Sequence, residues 1–146
     1  MPRVEVIKLD IRESEHVLKA KQYFKEGYNC AQAVFLAFQD LYNIDFDTAA
    51  KLSSSFGGGM GRMREVCGTV SGMFMVIGAL YGYPNPDATD TKMEHYARIK
   101  ELAAKFKEEF GSIVCRELLE NKRPCPELVE YAAMYTEEYI QNNPIK

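Results

Sequence analysis

The sequence predicts an all-α fold, a single-domain bundle of about six or seven helices with a short extended N-terminal segment. Apolar residues recur at helical spacing along most of the chain, and caps and glycines divide that pattern into separate helices. Only residues 4–11 alternate as a strand does. At 146 residues, 47% of them hydrophobic, the chain can bury one ordinary core, so we assign residues 1–146 to one domain.

The N-terminal segment places Val4, Val6 and Ile11 among charged residues, a pattern typical of an extended chain. A lone strand has no partner within a helical chain. We therefore expect this segment either to be a flexible arm or to pair with a second copy in a homodimer. Residues 1–15 show no apolar core of a secretory signal, and the longest apolar stretch, near 73–81, is too short to span a bilayer. We expect a cytoplasmic protein with no membrane partner.

The first three helices are predicted at 14–26, 30–42 and 47–55. Gly27 ends the first of these because glycine readily adopts the left-handed conformation that terminates helices. Asn29 is a good N-cap for the second helix, and Gln32 follows it at capping-box spacing. This places Cys30 at the first helical position.

Four further helices are predicted at 66–82, 90–110, 113–120 and 126–141. Gly111 ends the second of these four, and Ser112 is a cap that leaves Cys115 in or near the following first turn. Pro126 is a natural first helical residue, which makes Cys125 the cap. Cys67 comes directly before an apolar run at helical spacing, formed by Val70, Met73, Phe74, Ile77, Leu80 and Tyr81.

All four cysteines therefore fall at predicted helix starts. The unpaired N–H groups there favour negative charge and push a sulfur toward thiolate, the form that attacks disulfides and binds metals. A single free cysteine is more often a small buried apolar residue, but four at helix starts favour a shared role. The chain has no C-x-x-C pair, so any common site must be assembled from distant segments.

The glycine-rich loop at 57–62 lies between the first and second cysteines. It lacks the preceding strand of a phosphate-binding loop, and it could simply be a helix cap with a tight turn. Alternatively, glycines let backbone N–H groups approach the sulfurs or a cluster, with Arg62 and Arg64 balancing negative charge. In that interpretation the residues around the cofactor are Gly58, Gly59, Gly61, Arg62 and Gly68.

The remaining residues give weaker signals. His16 and His95 stand alone on predicted helices, without a second histidine or a cysteine at ligand spacing, and we expect both to be structural or exposed. The net charge is −3 with no basic stripe, so nucleic acid is not an expected partner.

The order of these motifs resembles a family of small redox-active proteins named for one cysteine, a C-G-A-x-x-G motif and two further cysteines. The resemblance rests on Asn29–Gln32, on 56–62, on Cys67 to Gly72, and on Cys115 and Cys125. Thr69 stands where the family has alanine. The family is also similar to a domain of the split-Soret cytochromes that is thought to carry an iron–sulfur centre, although this chain has no C-x-x-C-H for covalent haem. The resemblance implies redox or metal chemistry and names no substrate.

Charge repulsion narrows the expected function. Two thiolates about 4 Å apart repel by roughly 1 to 4 kcal/mol, more than a helix N-terminus offsets at about 0.3 to 1 kcal/mol. We therefore expect an iron–sulfur cluster or other metal held by Cys30, Cys67, Cys115 and Cys125, which exchanges electrons with a redox partner protein. The alternatives are a metal-free thiol–disulfide oxidoreductase, with Cys30 or Cys67 as nucleophile, and a binding module with structural zinc.

Overall fold

The computed structural model describes residues 11–145, and every regular element in this range is an α-helix. In chain order the helices are α1 (Glu15–Glu26), α2 (Cys30–Ala37), α3 (Phe46–Ser54), α4 (Gly68–Tyr81), α5 (Thr89–Phe110), α6 (Cys115–Glu120) and α7 (Cys125–Asn142). The predicted all-α class is confirmed.

The predicted extended segment, with Val4 and Val6, lies outside the described residues. Ile11, its last member, is helical, so the prediction of an extended chain is wrong at this residue. It is 2% exposed, and its carbonyl accepts a hydrogen bond from the Ser14 backbone N–H. The homodimer stays a prediction, which light scattering before and after removal of residues 1–11 would test.

Helices α2 and α4 form the centre of the molecule. Both are apolar on nearly every side, and a helix of that kind is stable only when neighbours surround it. Helix α2 packs against α1, α3, α4 and α7, and α4 also contacts α5 and α7. The best-buried large side chains of the core include Phe35, Phe38, Met73, Ile77 and Phe106.

Helix α2 is shorter than predicted, since it ends at Ala37 and not near 42. The backbone N–H groups of Phe38 and Gln39 donate to carbonyls three residues back, which tightens the last turn. The Tyr42 hydroxyl then donates to the Phe35 carbonyl (2.8 Å), and the two rings stack 4.6 Å apart. The apolar pattern continues past Ala37 because Phe38 and Tyr42 are buried in the turn that follows the helix.

A charged triad ties α1 to α7 on the side of the bundle where Asp40 follows α2. The His16 Nδ1 lies 2.5 Å from Glu137 Oε1, and its Nε2 lies 2.9 Å from Asp40 Oδ1. Both ring nitrogens face carboxylates, and the ring stacks on Phe38 at 4.5 Å. Burial opposes the charged ring, but Glu137 and Asp40 outweigh it and raise the pKa of His16. These contacts agree with the structural role predicted for His16.

None of the helices between residues 11 and 145 combines the length and the apolar character needed to cross a membrane. The cytoplasmic location stays a prediction.

Candidate functional site

The four cysteines lie at the starts of four helices, as predicted. Cys30, Cys115 and Cys125 are the first residues of α2, α6 and α7, and Cys67 is the N-cap of α4. At Cys30 the predicted capping box is present, because Asn29 accepts from the Gln32 backbone and Gln32 accepts from the Asn29 backbone. At Cys125 the prediction is off by one residue, since Pro124 is the cap.

A short antiparallel ribbon holds the second and third cysteines together. Val66 and Val114 form a β-bridge, the Cys67 N–H donates to the Ile113 carbonyl (2.7 Å), and the Cys115 N–H donates to the Glu65 carbonyl (2.6 Å). This pairing also explains why α4 and α6 begin two residues later than predicted, because residues 65–67 and 113–114 are extended where the two segments pair. The ribbon brings the beginnings of α4 and α6 side by side.

All four cysteines line one small cavity of about 50 Å³. Leucines and small residues complete its wall, with one charged side chain, that of Arg64. The other wall residues are Gly58, Gly68, Thr69, Leu118, Leu119 and Leu128. Four residues distant in sequence thus share one enclosure, with all four thiols free.

The cysteines differ in their access to solvent. Cys67 is buried at 4% exposure, Cys30 and Cys115 are half-buried, and Cys125 is exposed. The cavity therefore has an inner end at Cys67 and a mouth at Cys125.

Burial makes two of these sulfurs poor thiolates. It raises the pKa of Cys67 to about 11, while a hydrogen bond with Thr69 (3.1 Å) opposes the rise and the nearby Cys30 adds to it. Cys125 is exposed as a residue, but partial burial of its sulfur in the cavity still raises its pKa, with Cys30 and Cys115 adding to the rise and Arg64 opposing it. The prediction that helix starts push the sulfurs toward thiolate is wrong for Cys67 and Cys125, because loss of hydration outweighs the helix N-terminus.

The predicted cofactor residues divide into two groups. Gly58 and Gly68 are part of the cavity wall, and Gly59 packs behind it, where an added Cβ would lie 2.7 Å from Cys115 Cβ. At Gly68 an added Cβ would collide with the Cys30 sulfur. Gly61 and Arg62 lie outside the wall.

The glycine-rich loop has a left-handed backbone. Residues 58–62 and Arg64 all have φ between +59° and +74°. Three of these residues, Met60, Arg62 and Arg64, are not glycine, and each left-handed non-glycine residue costs roughly 1 to 2 kcal/mol. Strain of this kind is typical of functional sites. The loop is therefore a tight left-handed turn that follows α3 and carries strained non-glycine residues beside the cysteines.

Sequence reasoning missed two features of the site. The Thr69 hydroxyl contacts the Cys67 sulfur, at the position where the family has alanine. The threonine in place of alanine was the sequence feature that could have indicated this contact. The paired segments 65–67 and 113–115 are too short to show a strand pattern, although β-branched Val66 and Val114 are consistent with one.

The donor chemistry of the cavity fits a soft metal or an iron–sulfur cluster, because the possible ligands in its wall are thiols. The side chains as they stand are spread around the enclosure. Within residues 11–145, no three cysteine, histidine or acidic side chains are grouped closely enough to hold a metal ion.

Comparison with known proteins agrees with the order of the cysteines. Residues 28–139 match the model of a family described as "Putative redox-active protein (C_GCAxxG_C_C)". Neither the curated proteins nor the solved structures give a match. Because the match covers most of the chain and includes all four cysteines, this protein belongs to the C_GCAxxG_C_C family.

Proposed function

We propose that Cys30, Cys67, Cys115 and Cys125 hold an iron–sulfur cluster or another metal centre and that the protein transfers electrons to or from a redox partner protein. The observation that carries this proposal is that four cysteines from four helix starts line a single cavity. Family membership independently supports redox activity.

The size of the cavity argues for an inorganic group. About 10 to 15 Å³ holds one water-sized atom, so about 50 Å³ has room for only a few. Sites for organic ligands usually measure about 300 to 1,000 Å³. A bound organic substrate therefore does not account for this enclosure.

The electrostatics of the cavity favour a cation among the sulfurs. Without one, the raised pKa values of Cys67 and Cys125 keep both protonated at neutral pH. A metal displaces those protons, because only the thiolate form of cysteine binds a metal. The positive charge of the metal then offsets the repulsion between the thiolates and the cost of burying them as anions. When bound, such a centre supplies reversible one-electron chemistry.

A cluster and a single zinc ion place different demands on the cavity. Four sulfurs around one tetrahedral zinc, with bonds of about 2.3 Å, must converge to within about 4 Å of each other. The cysteines of a cluster bind different irons and need to converge less. A single zinc therefore demands a closer approach of the four sulfurs, whereas a cluster demands more room for its iron and sulfide atoms than a single ion does.

The thiol–disulfide oxidoreductase is the second candidate, and the exposure of Cys125 favours it. An accessible sulfur at the mouth and an enclosed one behind it could form a redox pair. Of the two nucleophiles expected for this function, Cys67 is disfavoured because it is 4% exposed and its pKa is raised to about 11. Cys30 remains.

Purification without oxygen tests the proposal. We expect a brown protein with visible absorption and roughly stoichiometric iron. If aerobic expression yields zinc, reconstitution with iron and sulfide should restore the colour, because thiolate sites accept both metals. A colourless, iron-free protein with four titratable thiols that also fails reconstitution would contradict the metal centre and favour the dithiol enzyme.

A further inference from the structure

Arg64 occupies a strained position beside the cysteines. Its φ is +61°, a left-handed value that an arginine rarely adopts. Two backbone hydrogen bonds fix this conformation: the Arg64 N–H donates to the Gly58 carbonyl (3.3 Å), and the Arg64 carbonyl accepts from the Arg116 N–H (3.2 Å). The strain is therefore maintained by the glycine loop on one side and by α6 on the other.

The side chain of Arg64 points at the sulfurs from this position. Its Nη1 donates to the Cys115 sulfur at 3.8 Å, and its charge also acts on Cys125. Arg62 provides the contrast. Both arginines are exposed and have the same left-handed backbone (φ +63° at Arg62), but Arg62 does not line the cavity. The segment 57–64 thus brings Arg64, but not Arg62, to the site.

The local charges leave Arg64 available to the sulfurs. Glu65, its neighbour in the chain, pairs with Arg116 at 3.2 Å. Among the residues that the structure describes, no carboxylate pairs with Arg64. The cavity wall contains no acidic side chain, so Arg64 is the one full charge in that wall when the cysteines are protonated.

We propose that Arg64 is the charge-balancing residue of the cysteine site, and that it stabilises the reduced, more negatively charged state of the four sulfurs and of any centre they hold. This inference rests on redox activity at the cysteines but not on the identity of the centre. Adding an electron to a cluster increases negative charge beside Arg64. Reducing a disulfide by two electrons does so only where one of the two product sulfurs remains a thiolate and does not take up a proton. A positive charge near the sulfurs stabilises that negative charge and so raises the reduction potential.

The test compares three variants with the unsubstituted protein: Arg64→Gln, Arg64→Lys and Arg62→Gln. Both glutamine variants keep a non-glycine residue on a left-handed backbone and remove one positive charge from the same loop, so they are matched in strain and net charge. Thermal unfolding of each variant checks that the fold is retained. The measured quantity is the reduction potential of the site, by dye-mediated titration where iron is present.

We expect Arg64→Gln to shift the equilibrium between oxidised and reduced site about tenfold toward the oxidised form, about 59 mV for one electron. Arg62→Gln should leave it nearly unchanged, and Arg64→Lys should lie between them. Equal shifts in the two glutamine variants would overturn the proposal, because the effect would then be one of net charge.

An iron-free protein would contradict the proposed cluster, but the effect of Arg64 on the reduction potential could still be measured. The midpoint of the cysteines is then measured in mixtures of reduced and oxidised glutathione, where two glutathione thiols reduce one protein disulfide and become glutathione disulfide. The same order of variants is expected, with about 29.6 mV for the tenfold shift of a two-electron couple. An Arg64→Gln midpoint equal to that of Arg62→Gln would overturn the inference in this case too.

Discussion

At the scale of single residues, Cys67 is the most enclosed of the four cysteines. The Thr69 hydroxyl, 3.1 Å from the Cys67 sulfur, provides a hydrogen-bond partner inside a wall otherwise rich in leucine and glycine. A buried thiol gains from such a partner because leaving a polar group unpaired in the core costs free energy. The threonine at this position therefore has a specific local function that alanine could not supply.

Replacing Thr69 by valine keeps the shape of the side chain and removes the hydroxyl. We expect the pKa of Cys67 to rise further above about 11, because the hydrogen bond with Thr69 lowers it. We also expect the free energy of unfolding to fall by about 1 kcal/mol. Iodoacetamide modification of the metal-free protein as a function of pH, with mass spectrometry of the Cys67 peptide, measures the first effect.

Thr69→Ser is the matched control, since it keeps the hydroxyl. Its Cys67 pKa should stay near that of the unsubstituted protein. If the valine variant titrates at the same pH as the serine variant, the hydrogen bond has no influence on this sulfur.

At the scale of elements, α4 contacts α2 through glycines. A Cβ added at Gly72 would lie 2.7 Å from the Ala31 carbonyl oxygen and 3.1 Å from Val34 Cβ. The absence of side chains there lets α4 approach the backbone of α2 closely. Because Cys30 begins α2 and Cys67 caps α4, this contact also sets how near the first two sulfurs come to each other.

Gly72→Ala should destabilise the protein by about 1 to 3 kcal/mol, because the backbone of α2 cannot move aside without repacking the core. Gly78→Ala is the control on the same helix. Nothing lies within 4 Å of a Cβ added there, so this change should stabilise the protein by about 0.4 to 1 kcal/mol. Urea unfolding of both variants measures the difference, and two effects of the same sign would contradict the packing described for α4.

At the scale of the whole molecule, the His16 triad closes the bundle by linking its first and last described helices. Glu137 is 8% exposed at its side chain, and His16 is 15% exposed. Although burial opposes its charge, the hydrogen bond and charge of His16 lower the pKa of Glu137. The triad therefore carries one buried ion pair in which His16 is the cation.

This pair makes stability depend on pH in a defined direction. The pKa of His16 is raised above its ordinary value of 6.5, so its stabilisation is complete below that pH and is lost as the pH rises through the folded-state pKa. Glu137 has the opposite sign: its contribution is present above 4.5 and is lost as the pH falls through its lowered pKa. Stability from the triad is therefore greatest between these limits.

We expect the free energy of unfolding to decrease as the pH rises above 6.5, and His16→Gln to abolish that slope. At pH 6 the variant should be less stable by about 1.5 to 3 kcal/mol, because the buried carboxylate loses a charged hydrogen-bond donor. Urea unfolding between pH 5 and 9 provides the measurement.

Lys21→Gln is the control, since it removes an exposed ion pair with Glu130 between the same two helices. It should lower the free energy of unfolding by at most about 1 kcal/mol without altering the slope. If the His16→Gln variant keeps this pH dependence of the free energy of unfolding, other titratable groups cause it.

The sequence was sufficient for features that depend on neighbouring residues. The capping box at Asn29 and Gln32 placed Cys30 correctly, and the helical periodicity predicted all seven helices of the described range. It was insufficient where distant segments decide the outcome. Helix α2 ends early because Tyr42 packs back on Phe35, and the His16 triad needs residues from three separate segments.

The candidate site likewise combines features that neighbouring residues determine with features that distant segments determine. Four cysteines at helix starts could be predicted from local signals, whereas their meeting in one cavity depends on the packing of α2, α4, α6 and α7. The choice of Arg64 over Arg62 is likewise a matter of which side of a strained loop faces the sulfurs. The spacing of glycines and arginines in the sequence does not distinguish Arg62 from Arg64.

Metal content across the four single Cys→Ser variants tests the central claim most directly. Each sulfur of a four-cysteine centre fills one coordination position, so each variant, purified without oxygen, should lose iron and thermal stability to a similar degree. Cys125→Ser should lose least, because this cysteine is exposed at the mouth between Pro124 and Pro126. If the variants at 115 and 125 retain full iron and activity while those at 30 and 67 do not, the four-cysteine centre is wrong and a two-cysteine redox pair replaces it.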